Sequence, residues 1–312
     1  MNFNISSPGK LLITSEYFVL KGAQALAIPT KFKQSLDFIH DESKILFWES
    51  LDNKNNTWIK CEFEVDSLNI LKYKNKHTIA LQSLLRSAKK LNPNFLTKGS
   101  GGAVTTKLDF PTNWGLGTSS TLINNIAKWA RINPYKLLWS NFKGSGYDVA
   151  CADSKSPILY RFDNGMPIVE SVKFNPSFSK NLFFIYLNKK QDSNKEIDDF
   201  YNLKINSSSI KIISDLTKRF LNCQTLNEFQ NCIIEHEEIV SKSINKQLVK
   251  FKYFQDYSGE IKSLGAWGGD FILAAGPSNS KEYFNGKGYN TCLLYTSPSP
   301  RDRTRSRMPS SA

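Results

Sequence analysis

The sequence predicts an α+β fold, and three stretches carry that prediction. Ile59, Cys61, Phe63 and Val65 alternate with Lys60, Glu62, Glu64 and Asp66, the period of a strand with one buried and one wet face. Leu81, Leu84, Leu85, Ala88 and Leu91 recur at the 3.6-residue spacing of a helix that buries one stripe. Val104, Thr106, Leu108 and Phe110 then make a second alternating run, which feeds the turn Gly115-Leu116-Gly117; beyond it Leu122, Ile123, Ile126, Ala127 and Ala130 return to helical spacing. Strand, glycine turn and helix thus follow one another, although periodicity alone does not separate one α+β fold from another.

Taken in order, residues 5–30 read as a strand, a turn and a second strand: Leu11 to Ile13 are apolar, Thr14-Ser15-Glu16 interrupt, Tyr17 to Leu20 are apolar again, and Lys21-Gly22 turn the chain. Lys10 and Glu16 would then be solvated hairpin residues. Lys44 to Trp48 and Trp58 to Asp66 form a hairpin around a polar loop at 52–56, and the helix after it stops at Asn92-Pro93. Residues 99–102 are a glycine-rich turn. Ile158 to Phe162 read as a strand, Asn181 to Leu187 as a buried strand, and Asn188 to Asn194 as a polar loop. Ser209 opens a helix with Ile210, Ile213, Thr217, Phe220 and Leu221 on one side; Thr225 and Glu228 form a capping box for the next, Leu226 to about Ser243. His236, among glutamates, is expected on a solvated face of that helix. Residues 261–274 are a glycine turn leading into an apolar strand.

At 312 residues and 40% hydrophobic, the chain can bury one large core or two ordinary ones. The net charge of +13 comes from lysines interleaved with Asn, Ile, Glu and Asp rather than gathered in a stripe, so no nucleic-acid partner is expected. Five cysteines without CxxC spacing fit a reduced compartment and no zinc site. No apolar run approaches the ~20 residues of a membrane span, and the first ten residues show no basic and apolar leader pattern, which leads to the expectation of a cytoplasmic chain without a membrane partner. From Cys292 the chain is rich in Ser, Pro and Arg without periodicity, and 292–312 is expected to be a non-native or disordered tail.

Chemistry concentrates at the glycine turn, which runs into Thr118, Ser119 and Ser120. A helix start leaves backbone N–H groups unpaired and carries the positive end of the dipole, so glycines there let an anion approach and a hydroxyl can ligate its metal. On these residues alone the turn is equally an ordinary capped helix start, and no Walker lysine follows it. Asp148, behind Gly144-Ser145-Gly146, is on its own residues a turn former.

Three motifs resemble those of the GHMP small-molecule kinases, the family of galactokinase, homoserine kinase, mevalonate kinase and phosphomevalonate kinase. SPGKLLITSEYFVL resembles the first motif, GLGTSS the second and GAWGGD, with Trp267 in place of a glycine, the third; GSGYD is similar to the aspartate loop of the mevalonate-pathway branch. The resemblance implies a two-domain GHMP kinase fold, with an N-terminal α/β domain over 1–165, a C-terminal ferredoxin-like domain over 166–291 and the site in the cleft between them. It implies ATP and Mg2+ as cofactors, with the phosphates lined by Gly115, Leu116, Gly117, Thr118 and Ser120 and the metal held by Ser119. It makes Asp148 and Lys10 catalytic, and Glu16, Ser145, Gly146, Gly268 and Gly269 substrate-binding. The implied partners are ATP and a small-molecule acceptor, with a homodimer as the candidate assembly. Mevalonate kinase is the implied activity, with phosphomevalonate kinase and a non-catalytic nucleotide-binding regulator as alternatives. Two departures count against full catalysis: LLWSNFKGSG lacks the glutamate that mevalonate kinases carry before GSGxD, and Trp267 must point away from the acceptor or reshape its pocket.

Overall fold

The computed structural model describes residues 2–97, 99, 101–189, 200, 202–265 and 267–294. Its first half is an eight-stranded sheet. The strands are β1 (Phe3–Leu12), β2 (Ala25–His40), β3 (Ile45–Leu51), β4 (Thr57–Glu64), β5 (Ile70–Lys72), β6 (Gly102–Leu108), β7 (Ile158–Asp163) and β8 (Met166–Ser171). They lie in the order β5-β4-β3-β6-β2-β7-β8, with β1 also paired to β2. The β3–β6 pair is parallel, and the other pairings in this sheet are antiparallel.

The alternation in β4 buries Ile59, Cys61 and Phe63, as the period demands. Helix α1 (Lys76–Leu91) buries Leu81, Leu84, Leu85 and Ala88 and starts at Asn75, which forms a capping box with Thr78. α2 (Thr118–Ala130), α3 (Pro134–Trp139) and α4 (Tyr147–Asp153) complete the helical layer. Leu36, Phe38, Trp48 and Phe63 of the sheet meet Leu85 of α1 and Ile126 of α2 in one core, where each fully buried side chain of this size contributes about 1.5–3 kcal/mol.

The second half runs β9 (Leu182–Tyr186), α5 (Ser207–Asn222), α6 (Leu226–Ile244), α7 (Val249–Tyr253), β10 (Glu260–Leu264), β11 (Phe271–Ala275), α8 (Ser280–Gly286) and β12 (Cys292–Leu294). Its sheet has the order β10-β11-β9-β12, all antiparallel, the arrangement of a ferredoxin-like unit with two additional helices between β9 and β10 among the described residues. The two-domain α+β expectation therefore holds in topology.

Several boundaries differ from the sequence reading. Tyr17 to Leu20 is not a strand: Ser15 and Tyr17 have φ of 67° and 61°, which breaks extension, and Phe18–Lys21 winds into a 3-10 turn between β1 and β2. The sheet of the first half continues past residue 165, because Asn164 and Gly165, both at positive φ, turn β7 back into β8. Three residues expected to belong to the tail are part of the fold: Cys292, Leu293 and Leu294 pair with Ile185, Phe184 and Phe183. The α5 helix opens at Ser207, capped by Asn206, and Glu228 reaches past Thr225 to the Gln224 N–H at 2.8 Å. Residues 190–194 of the polar loop and 295–312 of the tail lie outside the described residues. Among the described residues no helix is long and apolar enough to cross a membrane.

Candidate active site

The glycine turn sits where β1, α2 and α4 converge. Polar side chains in the interior hold these elements in register. Ser7 of β1 donates to Asn125 of α2 at 2.7 Å, Asn124 donates to Ser7 at 2.9 Å and to the Ala152 carbonyl of α4 at 3.0 Å, and Asn125 donates to the Gln34 carbonyl at 2.9 Å. Because Asn124 and Asn125 are fully buried, each lost partner would leave an uncompensated polar group, so the network specifies one relative placement of the three elements.

At the turn, Gly115 and Gly117 take φ of 67° and 91°, the left-handed region open to glycine. Gly117 is the N-cap of α2 and makes no side-chain cap; the Ser120 hydroxyl folds back onto its carbonyl at 2.9 Å. The start of a 13-residue helix is thus left to the dipole and its backbone N–H groups, with the Ser119 side chain exposed beside it. Leu116 is core rather than lining: its side chain is buried, and its carbonyl accepts the Lys10 N–H at 2.9 Å.

Lys10 reaches across the turn and donates from Nζ to the Gly115 carbonyl at 3.1 Å; its ammonium also lies 5.7 Å from the centre of the Tyr147 ring. Burial pulls its pKa down, but Tyr147, Asp148 and Asp270 together raise it above the ordinary value, so it stays charged. Asp148, in the first turn of α4, is pushed up by burial against the opposing pull of Lys10. The loop before it is held by Tyr160, whose hydroxyl donates to the Ser145 carbonyl, and by the Trp139 indole on the Gly144 carbonyl at 3.2 Å. Ser145 is buried with its hydroxyl unpartnered, and Gly146 caps α4 where a Cβ would meet the Tyr135 ring at 3.1 Å.

A pocket of ≈ 90 Å³ opens beside Lys10, Gly115 and Tyr147. Leu11, Leu12, Val19, Leu20, Leu264, Trp114 and Phe271 supply its apolar wall, and Tyr17 and Asp270 add polar groups. Asp270 is the site residue that sequence reasoning passed over, although it ends the GAWGGD motif. Its carboxylate packs so closely on the turn that a Cβ at Gly115 would lie 2.4 Å from Oδ2.

Other expected substrate residues are placed elsewhere. Gly268 and Gly269 do not line the pocket; a Cβ on Gly268 would face Val249 of α7. Trp267 resolves its own conflict by pointing away: it is 4% exposed in the core of the second half, with its indole on the Gln247 carbonyl at 3.0 Å and its backbone N–H on the Tyr17 hydroxyl at 2.8 Å. Glu16 is fully buried behind the pocket wall, where it accepts from Lys262 Nζ at 2.7 Å; burial pushes its carboxyl up to about 8 in spite of that lysine. His236 is likewise no solvated residue: the other face of α6 is the wet one, and His236 is fully buried, accepting the Ser15 N–H at 2.9 Å. Burial, then Lys262, drives its pKa down to about 4.

Among the described residues no cluster of three or more His, Cys, Asp or Glu groups forms a metal site. Magnesium does not require one, because it keeps several waters and takes one or two carboxylates plus phosphate oxygens. Asp148 and Asp270, which act on the same lysine, and the exposed Ser119 hydroxyl fit such a donor set.

No protein-family model matches the sequence, and no curated protein matches it. Solved structures do. The Methanococcus jannaschii mevalonate kinase aligns with a TM-score of 0.65 and 13% identity over 95% of this chain and 99% of that one. A Streptococcus pneumoniae phosphomevalonate kinase, in complex with phosphomevalonate and AMPPNP, gives 0.68 and 13% over 94% and 98%. The Lactococcus lactis galactokinase complexed with galactose gives 0.68 and 12% over 96% and 94%. At these identities the likeness is one of fold.

Proposed function

We propose that this chain, which has the GHMP kinase fold, is an ATP-dependent kinase that phosphorylates a small-molecule alcohol. The observation that carries the reading is the position of Lys10, which lines a partly apolar pocket with Gly115, Tyr147 and Asp270, bonds the Gly115 carbonyl just before the uncapped start of α2 and is held charged in part by Asp148. Phosphoryl transfer asks little covalent chemistry of a protein; it asks for positioning and for positive charge where negative charge develops.

The backbone N–H groups of Thr118, Ser119 and Ser120 would receive the nucleotide phosphates, helped by the helix dipole. A recess of ≈ 90 Å³ is too small for a nucleotide and suits the reacting end of an acceptor. Asp148 orients the acceptor hydroxyl and takes its proton as the new O–P bond forms and the bond from the γ-phosphorus of ATP to its β,γ-bridging oxygen breaks to release ADP, while Lys10 offsets the charge on the attacking oxygen. Its bond to the Gly115 carbonyl ties that charge to the phosphate turn. Magnesium, held by Ser119 with Asp148 and Asp270, would neutralise charge on the transferring phosphoryl group. In that role Asp270 would supply the carboxylate missing from α3, which would count against the regulator alternative.

For the acceptor, the reading is a mevalonate-type alcohol, so that the chain acts as a mevalonate kinase; phosphomevalonate is the rival. Asp148 as proton acceptor favours the alcohol, because a phosphate acceptor is already deprotonated at neutral pH. A coupled ADP-release screen against mevalonate, phosphomevalonate, galactose and amino-acid alcohols tests it. Turnover that rises with mevalonate is expected. Nucleotide binding without acceptor-dependent ADP release would overturn the kinase reading.

A further inference from the structure

Behind the pocket wall lies a closed polar cluster that the proposed chemistry does not use. Lys262 in β10 is fully buried, and its ammonium spends all three protons: on Glu16 Oε2 at 2.7 Å, on Glu237 Oε1 at 3.3 Å and on the Ser263 carbonyl at 3.1 Å. Glu237 in turn accepts the Ser263 N–H at 2.9 Å. The His236 ring accepts the Ser15 N–H through Nε2, which in the neutral ring leaves the proton on Nδ1. Thr14 and Thr217 share a hydroxyl bond of 2.8 Å. Residues 14–16 are therefore tied to α5, α6 and β10 at once.

What those ties hold is the acceptor side of the site. Before residues 14–16, across Ile13, come Lys10, Leu11 and Leu12, and after them come Tyr17, Val19 and Leu20, all six pocket-lining. The Tyr17 hydroxyl then receives the Trp267 N–H, which passes the same constraint to the loop carrying Asp270. We propose that Glu16 and Lys262 form a positioning clamp which, through residues 14–20, sets the acceptor wall of the pocket; the proposal rests on the kinase reading for the identity of that wall's occupant.

Two features separate a positioning role from stability alone. A buried lysine–carboxylate contact holds little advantage over well-packed apolar side chains, since desolvation offsets most of its attraction; what distinguishes it is directional geometry. The cluster also retains two buried oxygens without hydrogen-bond partners, Glu16 Oε1 and Ser263 Oγ, and His236 Nδ1 has only Glu237 Oε1 at 3.7 Å, a cost that packing for stability would remove.

The test uses the full chain with Glu16→Ala, Glu16→Gln and His236→Leu. Glu16→Ala is expected to raise KM for mevalonate roughly tenfold while leaving kcat and AMPPNP binding near the parent values. Amide exchange should accelerate over 14–20 and over the Trp267 loop, not across β3 and β4. Glu16→Gln, which still accepts from Lys262, should restore most of both. If Glu16→Ala does not fold, His236→Leu, which removes the acceptor of the Ser15 N–H along with the ring's contacts to Glu16 and Glu237, is expected to give the same local pattern. Because exchange is read without acceptor, it decides the clamp even if no alcohol supports turnover. A lower melting temperature with uniformly faster exchange and unchanged KM would overturn the proposal.

Discussion

Gly115→Ala probes the contact between the phosphate turn and Asp270. Two costs add. Gly115 has φ of 67°, where an L side chain costs about 1–2 kcal/mol. The new methyl would also meet Asp270 Oδ2 at 2.4 Å and Cγ at 2.5 Å. Van der Waals contact needs about 3.5 Å, so the carboxylate must retreat by about an ångström, an overpacking that costs a further ~1–3 kcal/mol. The sum, about 2–5 kcal/mol, is measured as the shift in urea midpoint at constant slope. In an Asp270→Ala background the second cost disappears, and Gly115→Ala should cost only the backbone share. Calorimetric titration with AMPPNP and magnesium completes the cycle: the single variants should each weaken binding, and the double should lose less than their sum. Equal stability costs of Gly115→Ala in both backgrounds would refute the placement of Asp270 against the turn.

Other expected outcomes follow from the same geometry. Asp148→Asn should leave AMPPNP binding in the absence of magnesium intact and lower mevalonate turnover by roughly 10²–10⁴-fold; Lys10→Met should also lower it, and the double variant should fall by less than the product. Near-normal turnover of Asp148→Asn with every accepted alcohol removes it from the mechanism. Ser119→Ala should raise the magnesium concentration needed for half-maximal turnover, and an unchanged magnesium curve would free Ser119 of that role. Glu16 is pushed up from 4.5 to about 8 and His236 down from 6.5 to about 4. Between pH 6.5 and 8 the native chain therefore holds a Glu16 proton that the unfolded chain has lost, so stability should fall as pH rises, by at most about 1.4 kcal/mol per unit. Glu16→Gln should flatten that slope; below pH 6.5 the depressed His236 adds stability with rising pH and opposes it. Ending the chain at Leu294 should leave the melting temperature unchanged, whereas ending it at Thr291 should lower it by removing the β12 ladder; equal melting temperatures would show that β12 contributes nothing.

The features legible in the sequence are those encoded by neighbours in the chain. The alternation in β4, the stripe of α1 and the glycine turn before α2 each express a local period or a local backbone requirement, and the motifs carrying Lys10, Ser119 and Asp148 were readable because each sits beside its own glycines. The fates of Glu16, His236, Trp267 and Asp270 were set by partners far away in sequence. Glu16 meets Lys262, 246 residues on, and His236 meets Ser15 across 221; nothing in IIEHEEIV tells which face of an amphipathic helix will find a buried N–H. Trp267 stands in a glycine motif yet turns into the second core, because Gln247 and Tyr17 receive its two N–H groups there. Local sequence fixes conformational preference through sterics and period. Burial, and with it the charge state and role of an ionisable side chain, depends on which surfaces the tertiary fold brings together, and so only the fold could move Glu16 behind the pocket and bring Asp270 against the turn.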